Sequence, residues 1–192
     1  MHYIKHVNYQ LTFAVFMQTL FFALAALITP NNLGWLMACQ FLAMFPFGWI
    51  TLNCYTAASL NVPQKDLGVA IGLIGTFRSV GGSIGSVIFS SIFAQTAAKE
   101  VANRVGKAAV TAGVDSNSLP NIIQAVDLAL VGVPGASAGL PISSSVFDAC
   151  VSAARNGYAQ GFRITWLSSI PFGVLALAAA VCVKDPSTYF TK

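Results

Sequence analysis

Four long apolar segments constrain what this chain can fold into more than any other feature. They cover about residues 11–29, 33–55, 67–92 and 164–183, and Arg78 is the only charged residue inside them. A helix of about 20 apolar residues, rising about 1.5 Å per residue, spans the roughly 30 Å hydrocarbon core of a bilayer. The pattern therefore predicts an all-α integral membrane protein with four transmembrane helices.

The amino-acid composition leads to the same class. The 192 residues are 56% hydrophobic and 8% charged, whereas soluble domains carry about 25% charged residues. A soluble chain could not cover so much apolar surface, so the lipid bilayer is an expected partner. The net charge of +4 is scattered, without the basic patch that nucleic acid requires, so we expect no nucleic-acid partner. The four cysteines form no C-x-x-C pair and indicate packing residues, not a disulfide frame or a metal site.

A polar stretch at about residues 95–160 separates the third apolar segment from the fourth. Apolar residues recur there at helical spacing beside charged ones, which predicts a weakly amphipathic helix continuing the third segment: Ala97, Val101, Val105 and Ala108. Ser118 and Pro120 are typical of a helix start, and a short helix is predicted to about Val131. After a Gly- and Pro-rich loop, another helix is predicted from about Ser144 into the fourth segment.

Small residues dominate the third apolar segment. Its glycines recur at a spacing of four, which lets helices approach closely in lipid, and we predict helix packing at Gly68, Gly72, Gly81, Gly82 and Gly85. Its serines fall on one helical face and are candidates for a polar pathway: Ser79, Ser83 and Ser86. The alternative is a tightly packed structural helix, and the spacing alone leaves both open.

Arg78 lies near the middle of the same segment. A charge at that depth costs at least about 2.5 kcal/mol on insertion scales, so such residues usually face a cavity or a partner. Arg78 is therefore a candidate for contact with a substrate anion or with an acidic residue on another helix. The alternative is a structural anchor that reaches toward the membrane surface. None of the six acidic residues lies inside an apolar segment, so a partner at depth would lie outside this chain.

Uncharged polar side chains also occur within the first two segments. Gln40 and Asn53 are candidates for the substrate pathway, and Gln18 is a further amide in the first segment. Hydrogen bonding between helices is the alternative use of such groups. Two matches to G-x-S-x-G, at residues 81–85 and 135–139, lack the strand–turn–helix context of a nucleophile elbow. We therefore predict no enzymatic activity, no catalytic residues, no metal and no cofactor.

The residues around the third segment are similar to those of fungal major facilitator transporters. Residues 61–66 read Asn-Val-Pro-Gln-Lys-Asp, and residues 76–85 read Thr-Phe-Arg-Ser-Val-Gly-Gly-Ser-Ile-Gly. Phe162-Arg163 and residues 166–173, Trp-Leu-Ser-Ser-Ile-Pro-Phe-Gly, fit as well. The chain most resembles the fourteen-helix drug:proton antiporter branch, notably trichothecene efflux pumps and siderophore-iron transporters. The resemblance covers most of the chain, with residues 95–160 matching loosely.

This resemblance implies that the four segments are the last helices of a proton-coupled secondary carrier. The carrier would export toxins or drugs or move iron-siderophores, with a small molecule as substrate. It would lie in the plasma membrane with both termini and residues 61–66 in the cytoplasm and residues 95–160 outside the cell.

The chain departs from that family in length. Substrate sites of such carriers lie between two halves, so a C-terminal fragment that lacks the N-terminal helices is expected to be inactive alone. The alternative is a self-contained four-helix membrane scaffold or partner subunit, in which Arg78 finds its counterion in an oligomer.

Overall fold

The computed structural model describes residues 7–29, 31–114, 118–133, 135 and 142–183. The described residues form five α-helices: α1 Val7–Ala25, α2 Leu33–Asn61, α3 Leu67–Thr111, α4 Leu119–Leu130 and α5 Ser144–Cys182. A short 3-10 turn at Gln64–Asp66 leads into α3. Every regular element of the described residues is helical, which confirms the all-α part of the predicted fold.

Two of the helices are much longer than the apolar segments they contain. α3 has 45 residues and is therefore about 68 Å long, more than twice the hydrocarbon thickness of a bilayer. It continues without a break from the apolar segment into the predicted amphipathic helix, because no proline interrupts an Ala-rich sequence of high helix propensity. α5 likewise joins the predicted helix from Ser144 to the fourth apolar segment. The predicted polar stretch is thus helical over most of its described residues.

Three of the described helices are long and apolar enough to cross a membrane by length and composition: Gly34–Asn61, Gln64–Thr111 and Ser144–Cys182. The 19-residue α1 is not among these three. It also ends before the predicted residue 29, since Ala26 and Leu27 bond three residues back, to the carbonyls of residues 23 and 24. Membrane crossing by all four segments therefore stays a prediction.

One compact unit contains the apolar ends of the long helices. Its described parts are residues 7–27, 34–90 and 166–183. Leu11 and Val15 of α1 are buried with Ala180 of α5, and Ile50 and Cys54 of α2 pack against them. The indole Nε1 of Trp35 donates to the carbonyl oxygen of Leu24 at 3.2 Å, which joins the start of α2 to the end of α1.

The second compact unit comprises residues 28–33 and 91–165. The end of α3, all of α4 and the start of α5 enclose a hydrophobic core of nine buried residues: Val101, Val105, Ala109, Ile122, Ala125, Val126, Phe147, Cys150 and Ala154. Ala97, Val101 and Val105 are buried as the amphipathic pattern predicts, and α4 lies within one residue of its predicted bounds. The unit therefore has a core of its own within the stretch that the sequence marks as polar.

Candidate functional site

Arg78 is held against α2 by two contacts. Its Nη1 donates a hydrogen bond to Oγ1 of Thr51 at 3.1 Å, and its guanidinium carbon lies 4.6 Å from the centre of the Phe47 ring. The Thr51 hydroxyl in turn donates to the carbonyl oxygen of Phe47 at 2.9 Å, so its lone pairs are free to accept from Arg78. A cation over an aromatic face contributes about 0.5–2 kcal/mol, more when water is excluded. These contacts fix the guanidinium beside the first turn after Pro46.

The positive charge of Arg78 is not neutralised within the described part of the chain. No carboxylate there forms an ion pair with it, and the ion pair that the described residues do form joins Glu100 to Arg104 on α3 at 3.1 Å. The side chain of Arg78 is exposed, and one N–H of its guanidinium, which offers five, is used by Thr51. The site can therefore bind an additional anion or carboxylate.

Two of the three candidate serines of α3 donate hydrogen bonds within their own helix. Ser83 donates to the carbonyl oxygen of Ser79 at 3.0 Å, and Ser86 donates to that of Ser83 at 2.8 Å. All three side chains are exposed. The Ser79 hydroxyl forms no hydrogen bond with any described residue, and every hydroxyl also carries acceptor lone pairs, so this face is weakly polar. Such a surface suits a pathway wall and a packed interface equally well.

The predicted packing glycines meet no other helix among the described residues. A Cβ placed on Gly68, Gly72, Gly81 or Gly82 would have no atom within 4 Å, and one on Gly85 would meet only the Phe89 ring of its own helix, at 3.9 Å. Helices approach closely at other glycines instead. Gly173 of α5 lies against Thr19, and Gly157 and Gly161 lie against Val101 and Ala97. Gly157 and Gly161 have the same spacing of four as the predicted pairs, a signal that the sequence reasoning did not use.

The two predicted amides of α2 differ in their surroundings. Asn53 is buried, with 7% of its surface exposed, and its Nδ2 has no hydrogen-bond partner among the described residues. Gln40 is half-buried and likewise unpaired within that part of the chain. Asn53 follows Thr51 by two residues, so it lies on the helix that holds Arg78, whereas Gln40 lies more than two turns earlier on that helix. The structure thus brings Arg78 together with Thr51 and Phe47, which the sequence reasoning did not single out.

Within the described residues, no group of three or more His, Cys, Asp or Glu side chains could hold a metal ion. Ser83 of the first G-x-S-x-G match lies in the middle of α3, where no strand precedes it. Residues 136–139 of the second match lie outside the described residues.

Taken together, these features define a class: an all-helical protein whose apolar helices have membrane-crossing length and place one arginine against a neighbouring apolar helix. A sequence profile of the fungal trichothecene efflux pump family matches residues 1–192. The chain belongs to this family, which confirms the resemblance seen in residues 61–85.

Two curated relatives carry transporter names. The chain is 31% identical over 188 residues to the MFS-type transporter prx5 of Penicillium rubens, covering 98% of this chain and 34% of the relative. It is 20% identical over 190 residues to the trichothecene efflux pump TRI12 of Fusarium sporotrichioides, covering 99% of this chain and 31% of that protein. The chain thus spans about a third of the length of these relatives. No solved structure matches it.

Proposed function

We propose that this chain forms the C-terminal part of a secondary carrier that exports toxins or drugs, or moves iron-siderophores, across the fungal plasma membrane. The family match over the whole chain and the transporter names of both relatives support this class of activity. The chain covers about a third of each relative, so the remaining helices would complete the translocation pathway. In this proposal the 192-residue segment alone does not transport.

The observation that carries the proposal is the position of Arg78. It lies in the apolar part of α3, held by Thr51 and Phe47 and without a carboxylate among the described residues. Two contacts to a neighbouring helix keep the guanidinium from reaching freely toward the membrane surface, which favours a positioned cation over a mobile anchor. A cation so placed has two uses in a carrier: binding an anionic group of the substrate, or pairing with a carboxylate of the remaining helices.

We propose that the four apolar segments cross the membrane with residues 61–66 in the cytoplasm and residues 95–160 outside the cell. The second compact unit, with its own hydrophobic core, would then form a small extracellular bundle. Its test is labelling of intact cells with a membrane-impermeant maleimide, after the native cysteines are replaced by serine. A thiol introduced by Ser145→Cys should react, and one introduced by Lys65→Cys should react only after the membrane is permeabilised. The reverse pattern would contradict this orientation.

The function itself is tested in the complete carrier that contains this segment, expressed in yeast and assayed with trichothecenes, other drugs and iron-siderophores. Arg78→Gln should lower export of the accepted substrate by at least about tenfold, because one charge-assisted hydrogen bond contributes about 1.5–3 kcal/mol. Arg78→Lys should retain part of the activity, since it keeps the charge but not the fork of donors.

The matched control is Arg155→Gln, which removes an exposed arginine of the second unit. It should leave export unchanged. Normal export by Arg78→Gln at normal surface expression would overturn the role assigned to Arg78, and failure of the complete carrier to move any of these substrates would overturn the proposed function.

A further inference from the structure

A cavity of about 290 Å³ lies within the first compact unit. Residues of α1, α2, α3 and α5 line it, among them Gln18, Phe22, Ile50, Phe89, Phe172 and Ala176. An engineered protein cavity of about 150 Å³ stays dry and binds benzene. This cavity is about twice as large, but it opens to the surroundings, since Phe172 in its wall is 49% exposed, and it has room for a molecule of two fused rings.

Aromatic rings form much of the cavity wall. The rings of Phe89 and Phe172 meet edge to face, with centroids 5.6 Å apart and planes at 77°. The ring of Phe22 contacts that of Trp166, with centroids 5.4 Å apart and planes at 33°. Edge-to-face and offset contacts are the arrangements that aromatic rings favour, so these walls offer both ring faces and ring edges to an aromatic guest.

One side chain in the wall can still donate a hydrogen bond to a ligand. The hydroxyls of Thr19 and Ser169 donate to carbonyl oxygens of their own helices, those of Val15 at 2.9 Å and Trp166 at 2.7 Å. The carboxamide of Gln18, in contrast, makes no side-chain hydrogen bond with any described residue. Gln18 is half-buried, and its amide can both donate and accept. A ligand with one hydrogen-bonding group would satisfy it.

A close contact between helices positions this wall. A Cβ on Gly173 would fall on the Thr19 side chain, 2.6 Å from its Oγ1, so the backbones of α1 and α5 approach each other where no side chain separates them. Phe172, next to Gly173, and Gln18, next to Thr19, line the cavity on either side of this contact.

We propose that this cavity is a binding site for a small, neutral aromatic molecule that carries one hydrogen-bonding group. The Phe22, Phe89 and Phe172 rings would enclose its ring system, and the Gln18 carboxamide would bind its polar group. The site lies within the helices of this chain and does not depend on transport, so its failure and the failure of the proposed carrier activity are separate results.

The test uses the complete carrier that contains this segment, in detergent micelles, photolabelled with a phenyl diazirine and mapped by mass spectrometry. Labelling of α1 and α5 at the cavity should be suppressed by 2-naphthol. The filling variant Ala176→Phe should lower the cavity label at least fivefold. The control Ala178→Phe, which adds the same ring to the same helix at a position outside the lining, should not. Equal labelling in both variants would overturn the proposal, as would suppression by added phospholipid with none by 2-naphthol.

The Gln18 contact is tested separately by comparing 2-naphthol with naphthalene, which lacks the hydroxyl. Gln18→Leu should weaken competition by 2-naphthol about three- to tenfold and leave competition by naphthalene unchanged, which also shows that the variant is folded. Gln40→Leu, an equivalent change on α2 outside the lining, should affect neither competitor. The assigned role of the amide would be overturned if Gln18→Leu weakened competition by 2-naphthol and by naphthalene equally, or if it weakened neither.

Discussion

The close approach of α3 and α5 in the second unit makes a sharp prediction about three glycines. A Cβ on Gly157 would lie 2.9 Å from Cγ2 of Val101 and 3.0 Å from its Cα and backbone nitrogen, and backbone atoms cannot move aside cheaply. A Cβ on Gly161 would lie 3.2–3.4 Å from Cβ, Cα and N of Ala97, and one on Gly106 would have no atom within 4 Å. The methyl group of an alanine would therefore be most crowded at Gly157, less crowded at Gly161 and uncrowded at Gly106.

The expected magnitudes follow from two opposing terms. Alanine gains about 0.8–1 kcal/mol over glycine in a helix interior, and overpacking a close contact costs about 1–3 kcal/mol. Gly106→Ala should stabilise the second unit by up to about 1 kcal/mol. The change in stability of the second unit caused by Gly161→Ala should be near zero, whereas Gly157→Ala should destabilise that unit by about 1–2 kcal/mol.

Hydrogen exchange measures these differences directly. Amide protection across residues 97–109 and 150–161 reports the free energy of opening the unit, with the wild-type chain in the same detergent as reference. Protection should rise in Gly106→Ala and fall in Gly157→Ala. If Gly157→Ala raised protection as much as Gly106→Ala does, the helices would not be in contact there, and the packing described for this unit would be wrong.

Two further substitutions test other parts of the account. The Tyr158 hydroxyl donates to Oδ1 of Asp127 at 3.0 Å, and burial, then this hydrogen bond and the charge of Asp127, raise the pKa of Tyr158 above its ordinary value. Because the folded-state pKa is raised, this stabilisation is fully present below the ordinary tyrosine pKa of about 10 and is lost as the pH rises through the folded pKa. Tyr158→Phe should thus cost about 1 kcal/mol at neutral pH and reduce the loss of protection at high pH; an unchanged pH profile would contradict this. Gly72→Ala meets open space in this chain and should raise its thermal midpoint slightly through helix propensity. In the complete carrier, where we predict that Gly72 packs against another helix, the same change should lower the midpoint, and a rise in both proteins would refute that packing.

The helices were largely predictable, because long apolar runs and a 3.6-residue period leave few alternatives. Their ends were less so. The amphipathic spacing predicts that α3 continues past its apolar segment, and it does so to Thr111, since the Ala-rich polar sequence that follows favours the same backbone conformation. Conversely, α1 stops at Ala25 although apolar residues continue beyond it. Hydropathy reports the environment of a segment, whereas helix ends depend on local hydrogen bonding.

The candidate site was predictable in part. The sequence alone identifies Arg78 as a candidate, because it is the lone charge in an apolar run. Its contacts with Thr51 and Phe47, in contrast, depend on how α2 and α3 pack. The glycines illustrate the same limit. Gly68 and Gly72 share the spacing of Gly157 and Gly161, yet only the second pair meets another helix among the described residues. Spacing shows which glycines could permit close packing, and tertiary structure decides which of them do so.

The central claim is that this chain is the C-terminal part of a larger carrier, and the length of the native transcript tests it most directly. Long-read sequencing of RNA across this region should reveal one open reading frame that continues upstream of Met1 through about ten further apolar spans. A transcript whose reading frame begins at Met1 would contradict the account. It would favour a self-contained four-helix membrane protein whose Arg78 finds its counterion in a partner subunit.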